Sequence, residues 1–156
     1  MILRDKVVVS DRLRTLRLFT DGASRRNPGH AGIGVLIVDS GGRRIVENGK
    51  YIGQVTNNEA EYHALIHGLK AAQRWTPERL EVNLDSQLVV EQMNGRYKVS
   101  KPELKLLYDQ AKKLKDGLGE VVIRHIDREQ NRIADDLANR AINEHLGRRG
   151  SAMRSP

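Results

Sequence analysis

Four acidic residues, Asp21, Glu61, Asp85 and Asp135, carry the chemistry that the sequence offers. Asp21 ends the short apolar run Leu16 to Phe19 and precedes Gly22; Asp85 ends a second run, Leu80 to Leu84. Asp is a poor strand former, so an acid at such a place is either a turn residue or a functional carboxylate. Glu61 and Asp135 fall near the first turns of two helical patterns, on the sides that carry Leu65 and Ala138. Helical periodicity therefore turns both toward the core. In a sheet covered by helices, strand ends and helix N-termini gather at one edge, where ligands bind. Four ionised carboxylates gathered there repel and raise one another's pKa, and a divalent cation relieves the repulsion. With oxygen ligands and no cysteine in the chain, the fitting ions are Mg²⁺ or Mn²⁺. Such a centre beside basic surface suits metal-assisted cleavage of a phosphodiester. The plainer account makes the acids two turn residues, a helix-dipole carboxylate and a surface acid. Composition and spacing leave both readings open.

The elements that must position these acids follow from pattern. Residues 15–21 alternate apolar and polar and form a first strand, with Arg17, Phe19 and Asp21 on one side. The turn Ser24 to Gly29 leads to a buried strand over 32–39, and Ser40-Gly41-Gly42 turns into a third over 43–53. Thr56, Asn57 and Asn58 are candidate caps for a helix running to about Trp75, before Pro77, with Glu59 and Glu61 in its first turn. A strand over 79–85, a short helix from Ser86, a helix over 104–114, a strand over 120–126 and a last helix from about Asn131 complete the order. The first three strands form a meander, and the later ones alternate with helices and so imply parallel crossovers. The expected fold class is α/β, a mixed five-stranded sheet with helices on both faces. Residues 1–14 are a leader, with Val7-Val8-Val9 as a candidate edge strand, 15–146 the domain, and 147–156 a basic flexible tail.

Composition narrows the function classes. The chain has 156 residues, enough for one domain with a substantial core. Lys and Arg number 27 against 20 Asp and Glu, a formal charge of +7. That excess serves solubility or draws a polyanion. Without cysteine there are no disulfides or thiolate metal sites, which fits a reducing, cytoplasmic setting. No apolar run is long enough to span a membrane, and the start Met1 to Asp5 is no secretory signal.

The local words around the acids decide between the readings. Asp21-Gly22-Ala23-Ser24 with Asn27-Pro28-Gly29, Thr56-Asn57-Asn58-Glu59-Ala60-Glu61, Asp85-Ser86-Gln87, and Asn131-Arg132-Ile133-Ala134-Asp135-Asp136-Leu137-Ala138 occur in this order. Together they resemble type 1 ribonuclease H over about residues 16–146. The resemblance implies a ribonuclease H-like fold and endonucleolytic cleavage of the RNA strand of RNA/DNA hybrids, leaving 5′-phosphate and 3′-hydroxyl ends. It implies that Asp21, Glu61, Asp85 and Asp135 bind two Mg²⁺ ions, with Mn²⁺ a possible substitute. One ion lies near Asp21 and Asp135, the other near Asp21, Glu61 and Asp85. His125 matches the family's proton-shuttling or product-releasing histidine. The loop after it, Ile126 to Gln130, is not Gly-rich, and Arg128 is a rival for that role. Asn27, Asn57, Asn58 and Gln87 match positions used on the minor groove, where amides suit base edges and 2′-hydroxyls.

Each of these residues also has a structural reading: helix caps for Asn57 and Asn58, a turn for Asn27, a hydrogen-bonded strand end for His125. The segment Met93 to Glu103 leaves no room for the Trp-rich basic helix of larger relatives. Grip then falls to Lys98, Lys101 and Lys105 or to Arg148, Arg149 and Arg154, and duplex RNA becomes a conceivable substrate. A nuclease acting mainly on double-stranded RNA and a non-catalytic hybrid-binding module are the alternatives. A third, a domain cut from a reverse transcriptase or transposase, is opposed by Met1 and the tail. A monomer with no membrane association is expected. His63 and His67, four apart on one helix, are read as an exposed face, Trp75 as a plug at the helix end, and Tyr62 as packing.

Overall fold

The computed structural model describes the backbone of residues 11–154 and the side chains of 11–148. Residues 11–14 are helical and lead into β1 (Thr15–Ser24). Most of the leader, including Val7-Val8-Val9, and the last two residues lie outside the described residues. After β1 come β2 (Gly29–Val38), β3 (Arg44–Val55), α1 (Asn57–Gln73), β4 (Arg79–Leu84), α2 (Gln87–Met93), α3 (Pro102–Asp116) and β5 (Glu120–His125). A 3₁₀ turn (Arg128–Asn131) opens onto α4 (Arg132–Arg154).

The five strands form one sheet in the order β3-β2-β1-β4-β5. The pairs β1–β2 and β2–β3 are antiparallel, β1–β4 and β4–β5 parallel. This is the expected mixed sheet, and β1 at its centre carries Asp21.

Strand alternation divides the sheet between two helical layers. Leu16, Leu18 and Thr20 of β1 with Val35 and Ile37 of β2 face α1, whose Tyr62, Leu65, Leu69 and Ala72 complete the core with Leu80, Val82 and Leu84 of β4. Leu104, Leu107 and Ala111 of α3 close that core from outside. The opposite face carries α4. Helices therefore cover both faces, as periodicity requires.

Local chemistry sets the start of α1. The Thr56 hydroxyl accepts from the Glu59 N–H at 3.2 Å and the Glu59 carboxylate accepts from the Thr56 N–H at 3.1 Å. This reciprocal cap supports the helix end by about 1 kcal/mol and sets the rotation that turns Glu61 inward. At the other end of the helix, Trp75 packs against the core.

One expectation fails. Residues 147–154, read as a flexible tail, continue α4. Gly147 and Gly150 each cost about 1 kcal/mol of helix propensity, but no proline interrupts the segment before Pro156. An i,i+4 pair of Glu144 and Arg148 at 3.9 Å spans its start.

Candidate active site

Two glycines bring the acids together. The β1 end approaches α1 so closely that a Cβ on Gly22 would lie 2.2 Å from the Ala60 carbonyl. That contact seats Glu61 beside Asp21, and the Gly22 N–H donates to the Glu61 carboxylate at 2.9 Å. On the other face Gly34, the β2 partner of Asp21, lies under α4, where a Cβ would be 1.9 Å from the Ala134 oxygen. The next residue of α4 is Asp135. Asp21 is thus flanked by one helix on each face of the sheet, each drawn in by a missing side chain.

Asp85 arrives from the end of β4. Hydrogen bonding in the parallel ladder sets β4 beside β1, with Thr20 opposite Leu84. Ser86 then caps α2, its hydroxyl accepting from the Val89 N–H at 3.3 Å. One carboxylate oxygen from each of Asp21, Glu61 and Asp85 lies within 4.8 Å of the others. Asp135 lines the same cleft, whose volume is about 440 Å³.

The electrostatics report an uncompensated cluster. Burial is the largest cause raising the Asp21 pKa, followed by the charge of Glu61, with Asp85 and Asp135 adding to it. The Glu61 pKa is also raised, first by burial and then by Asp85 and Asp135, against the lowering effect of its bonds to Asp21 and Gly22. Asp21 is 5% exposed, and the described contacts give its carboxylate no Lys or Arg partner. Asp21 and Glu61 are buried and Asp85 and Asp135 half-buried, none of the four has an ion-pair partner among the described residues, and all the donors are oxygen. The residues fit a hard divalent cation.

The remaining cleft walls are Gly22, Ala23, Ser24, Arg25, Asn57, Asn58, Ser86, Arg128 and Asn139. Of the ten residues singled out in the sequence, seven line the cleft: the four acids, Asn57, Asn58 and Arg128. Asn27, Gln87 and His125 stand outside its walls. Asn27 braces the rim, its side-chain oxygen accepting from the Asn57 N–H at 3.0 Å, while Asn57 accepts from the Ser24 N–H at 3.0 Å. Gln87 is exposed at the first position of α2. The His125 Nε2 lies 3.2 Å from the Asp85 carbonyl oxygen, a hydrogen bond at the strand end.

Arg25 and Asn139 were not legible as site residues. The one available signal is spacing: Asn139 lies one helical turn after Asp135 and shares its face. His63 and His67 are half-buried rather than exposed, and burial lowers the pKa of both. Among the described residues neither joins a group of three possible metal ligands. Tyr62 is fully buried and donates to Gln92 at 2.6 Å, a packing residue as expected.

Comparison with known proteins agrees with this geometry. The family model described as "Reverse transcriptase-like" matches residues 19–141. Ribonuclease HI of Halobacterium salinarum is 40% identical over 138 residues, covering 88% of this chain and 69% of that protein. The crystal structure of RNase H1 from the same archaeon superposes with a TM-score of 0.81 at 39% identity, over 83% of this chain and 98% of that one. LC11-RNase H1, isolated from compost by a metagenomic approach and solved with an RNA/DNA hybrid, gives a TM-score of 0.81 at 43% identity, over 84% and 99% of the two chains. With the sheet order, the cleft and these likenesses in agreement, the chain belongs to the type 1 ribonuclease H family.

Proposed function

We propose that this enzyme hydrolyses the RNA strand of RNA/DNA hybrids with two divalent cations, Mg²⁺ or in its place Mn²⁺, leaving 5′-phosphate and 3′-hydroxyl ends. The observation that carries the reading is the group of three carboxylate oxygens from Asp21, Glu61 and Asp85 within 4.8 Å, with Asp135 in the same cleft. Asp21, Glu61, Asp85 and Asp135 would hold the cations, which supply an activated water and neutralise charge gathering on the phosphate. Asp21, central among the four, would serve both ions.

The chain's own polar groups bind and orient the substrate. Asn57 and Asn58 at the start of α1 offer amides to the minor groove, where a 2′-hydroxyl can both donate and accept. Asn27 holds Asn57 in place, and exposed Gln87 extends this surface beyond Asp85. Arg128, in the cleft wall, faces the phosphate as a fixed positive charge. We assign it the contact that assists turnover in preference to His125, whose imidazole is bonded to the Asp85 backbone.

The connection over 94–101 carries no helix, so grip outside the cleft falls to Lys98, Lys101 and Lys105. No described helix is long and apolar enough to cross a membrane. We take the protein as a cytoplasmic monomer.

The test is a cleavage assay on end-labelled hybrid, duplex RNA and duplex DNA of one sequence, with Mg²⁺, Mn²⁺ or EDTA. Hybrid should be cut in its RNA strand, EDTA should stop the reaction, and Asp21→Asn should abolish it while hybrid binding persists. Cutting in EDTA, or wild-type rates in Asp21→Asn, would overturn the metal reading. Preferential cutting of duplex RNA would reassign the substrate.

A further inference from the structure

Asp135 is tied into the protein by a neighbour on its own helix. The Asn139 Nδ2 donates to the Asp135 carboxylate and to its backbone oxygen, each at 3.0 Å. An amide has a donor end and an acceptor end. Only one orientation of Asn139 supports Asp135, because the reverse would set two acceptors against each other.

Arg25 holds that orientation from the other end of the amide. Its guanidinium donates to the Asn139 side-chain oxygen at 3.3 Å, to the Asn139 backbone oxygen at 3.3 Å and to the Asn143 side-chain oxygen at 2.8 Å. Arginine has donors and no acceptor, so the side of Asn139 that faces it must be oxygen. The amide nitrogen is thereby turned to Asp135. Arg25 comes from the turn after β1, 114 residues before Asn139. It joins the strand that bears Asp21 to the helix that bears Asp135.

We propose that Arg25, acting through Asn139, positions Asp135 as a cation ligand. Arg25 is a positioning residue here. Its charge is spent on α4 oxygens, and it reaches the centre through an oriented amide. Without it, the Asn139 amide is held from the Asp135 side alone, Asp135 samples other rotamers, and the site beside Asp21 loses a preset ligand geometry. The inference rests on the proposed metal site and refines it by naming what orients one of its four acids.

The experiment is calorimetric titration of Mn²⁺ into the full chain without nucleic acid, for wild type, Asp135→Asn, Arg25→Met, Asn139→Ala and the Arg25→Met/Asn139→Ala double variant. Melting temperature is measured on each, and Arg25→Lys serves as the conservative rescue. Partners of metal-binding side chains are typically worth roughly 10-fold or more in affinity. Arg25→Met and Asn139→Ala should each weaken Mn²⁺ binding by roughly 10-fold, with melting temperatures near wild type. The double variant should be no worse than either single one, because both changes cut one chain of contacts. Arg25→Lys should recover part of the affinity. Steady-state cleavage should show a higher Mn²⁺ requirement with unchanged KM for the hybrid.

Unchanged Mn²⁺ affinity in Arg25→Met, with a raised KM for hybrid, would make Arg25 a substrate contact and overturn the relay. Additive losses in the double variant would overturn it too. If wild type and Asp135→Asn bind Mn²⁺ equally, the failure lies with the metal site, and the relay falls with it. If those two differ while Arg25→Met matches wild type, the relay alone fails.

Discussion

Replacing Asp21 by Asn should stabilise the metal-free protein at neutral pH while destroying its activity. Asp21 is 5% exposed and surrounded by three other acids, so its pKa stands well above the ordinary carboxylate value of 3.8. A carboxyl with a raised pKa binds its proton more tightly in the folded chain than in the unfolded one. The folded state therefore holds more protons once pH passes the unfolded value, and stability falls as pH rises from there toward the folded value. Holding the proton at about pH 7.5 against an unfolded value of 3.8 costs at most about 5 kcal/mol, at about 1.4 kcal/mol per pKa unit. Water in the open cleft reduces the cost, leaving roughly 2–3 kcal/mol as the working magnitude. Asn carries no titrating proton and can donate to Glu61 or Asp135. For a chain of this size the gain corresponds to about 5–10 °C in melting temperature.

The assay is scanning calorimetry in EDTA for wild type and Asp21→Asn from about pH 5 to 8. Wild type should lose stability with rising pH, and the variant should lose less, so the gap widens. Half-buried His63 and His67 have pKa values lowered from 6.5 and tilt the profile the other way. They do so in both proteins and cancel in the difference. Adding Mg²⁺ should raise wild type toward the variant, since binding only the folded state stabilises it. Equal melting temperatures at pH 8, or a gap that does not change with pH, would refute the account of a charge-starved acidic cluster.

Three other perturbations probe the positioning elements. Gly34→Ala puts a methyl where the Ala134 oxygen lies 1.9 Å away; it should cost about 1–3 kcal/mol and, by lifting α4, weaken activity more than Gly42→Ala, where the space is open but φ is positive. Thr56→Ala removes the cap of α1 and should lower stability by about 1 kcal/mol in denaturant titration, with cleavage at saturating metal little changed. Asn27→Ala releases the Asn57 N–H and should raise KM for hybrid about 5-fold, the equivalent of ~1 kcal/mol for one hydrogen bond, leaving kcat nearly intact.

The elements were legible because they are local. Alternation over residues 15–21, the Gly-bearing turns and the Thr56–Glu59 spacing each act within a few residues, and each produced an element at the expected place, though β1 runs on past Asp21 to Ser24 and β2 starts at Gly29 rather than at 32. The identity of the acids was legible for the same reason, since each sits in a short recognisable word. The helical continuation past residue 147 was missed because glycines and basic residues read as a tail, whereas helix already formed propagates through them.

What the tertiary structure alone decided is distance between groups far apart in the chain. Composition could say that four carboxylates would repel one another if they met. That they meet depends on β1 lying between β2 and β4, and on Gly22 and Gly34 admitting α1 and α4 to within backbone contact of the sheet. Likewise, Asn139 could be placed on the Asp135 face from spacing, but the orientation of its amide could not. A side-chain amide has no preferred direction of its own. It takes one from its partners, and the second of these, Arg25, lies 114 residues away and reaches the helix only when the sheet has formed.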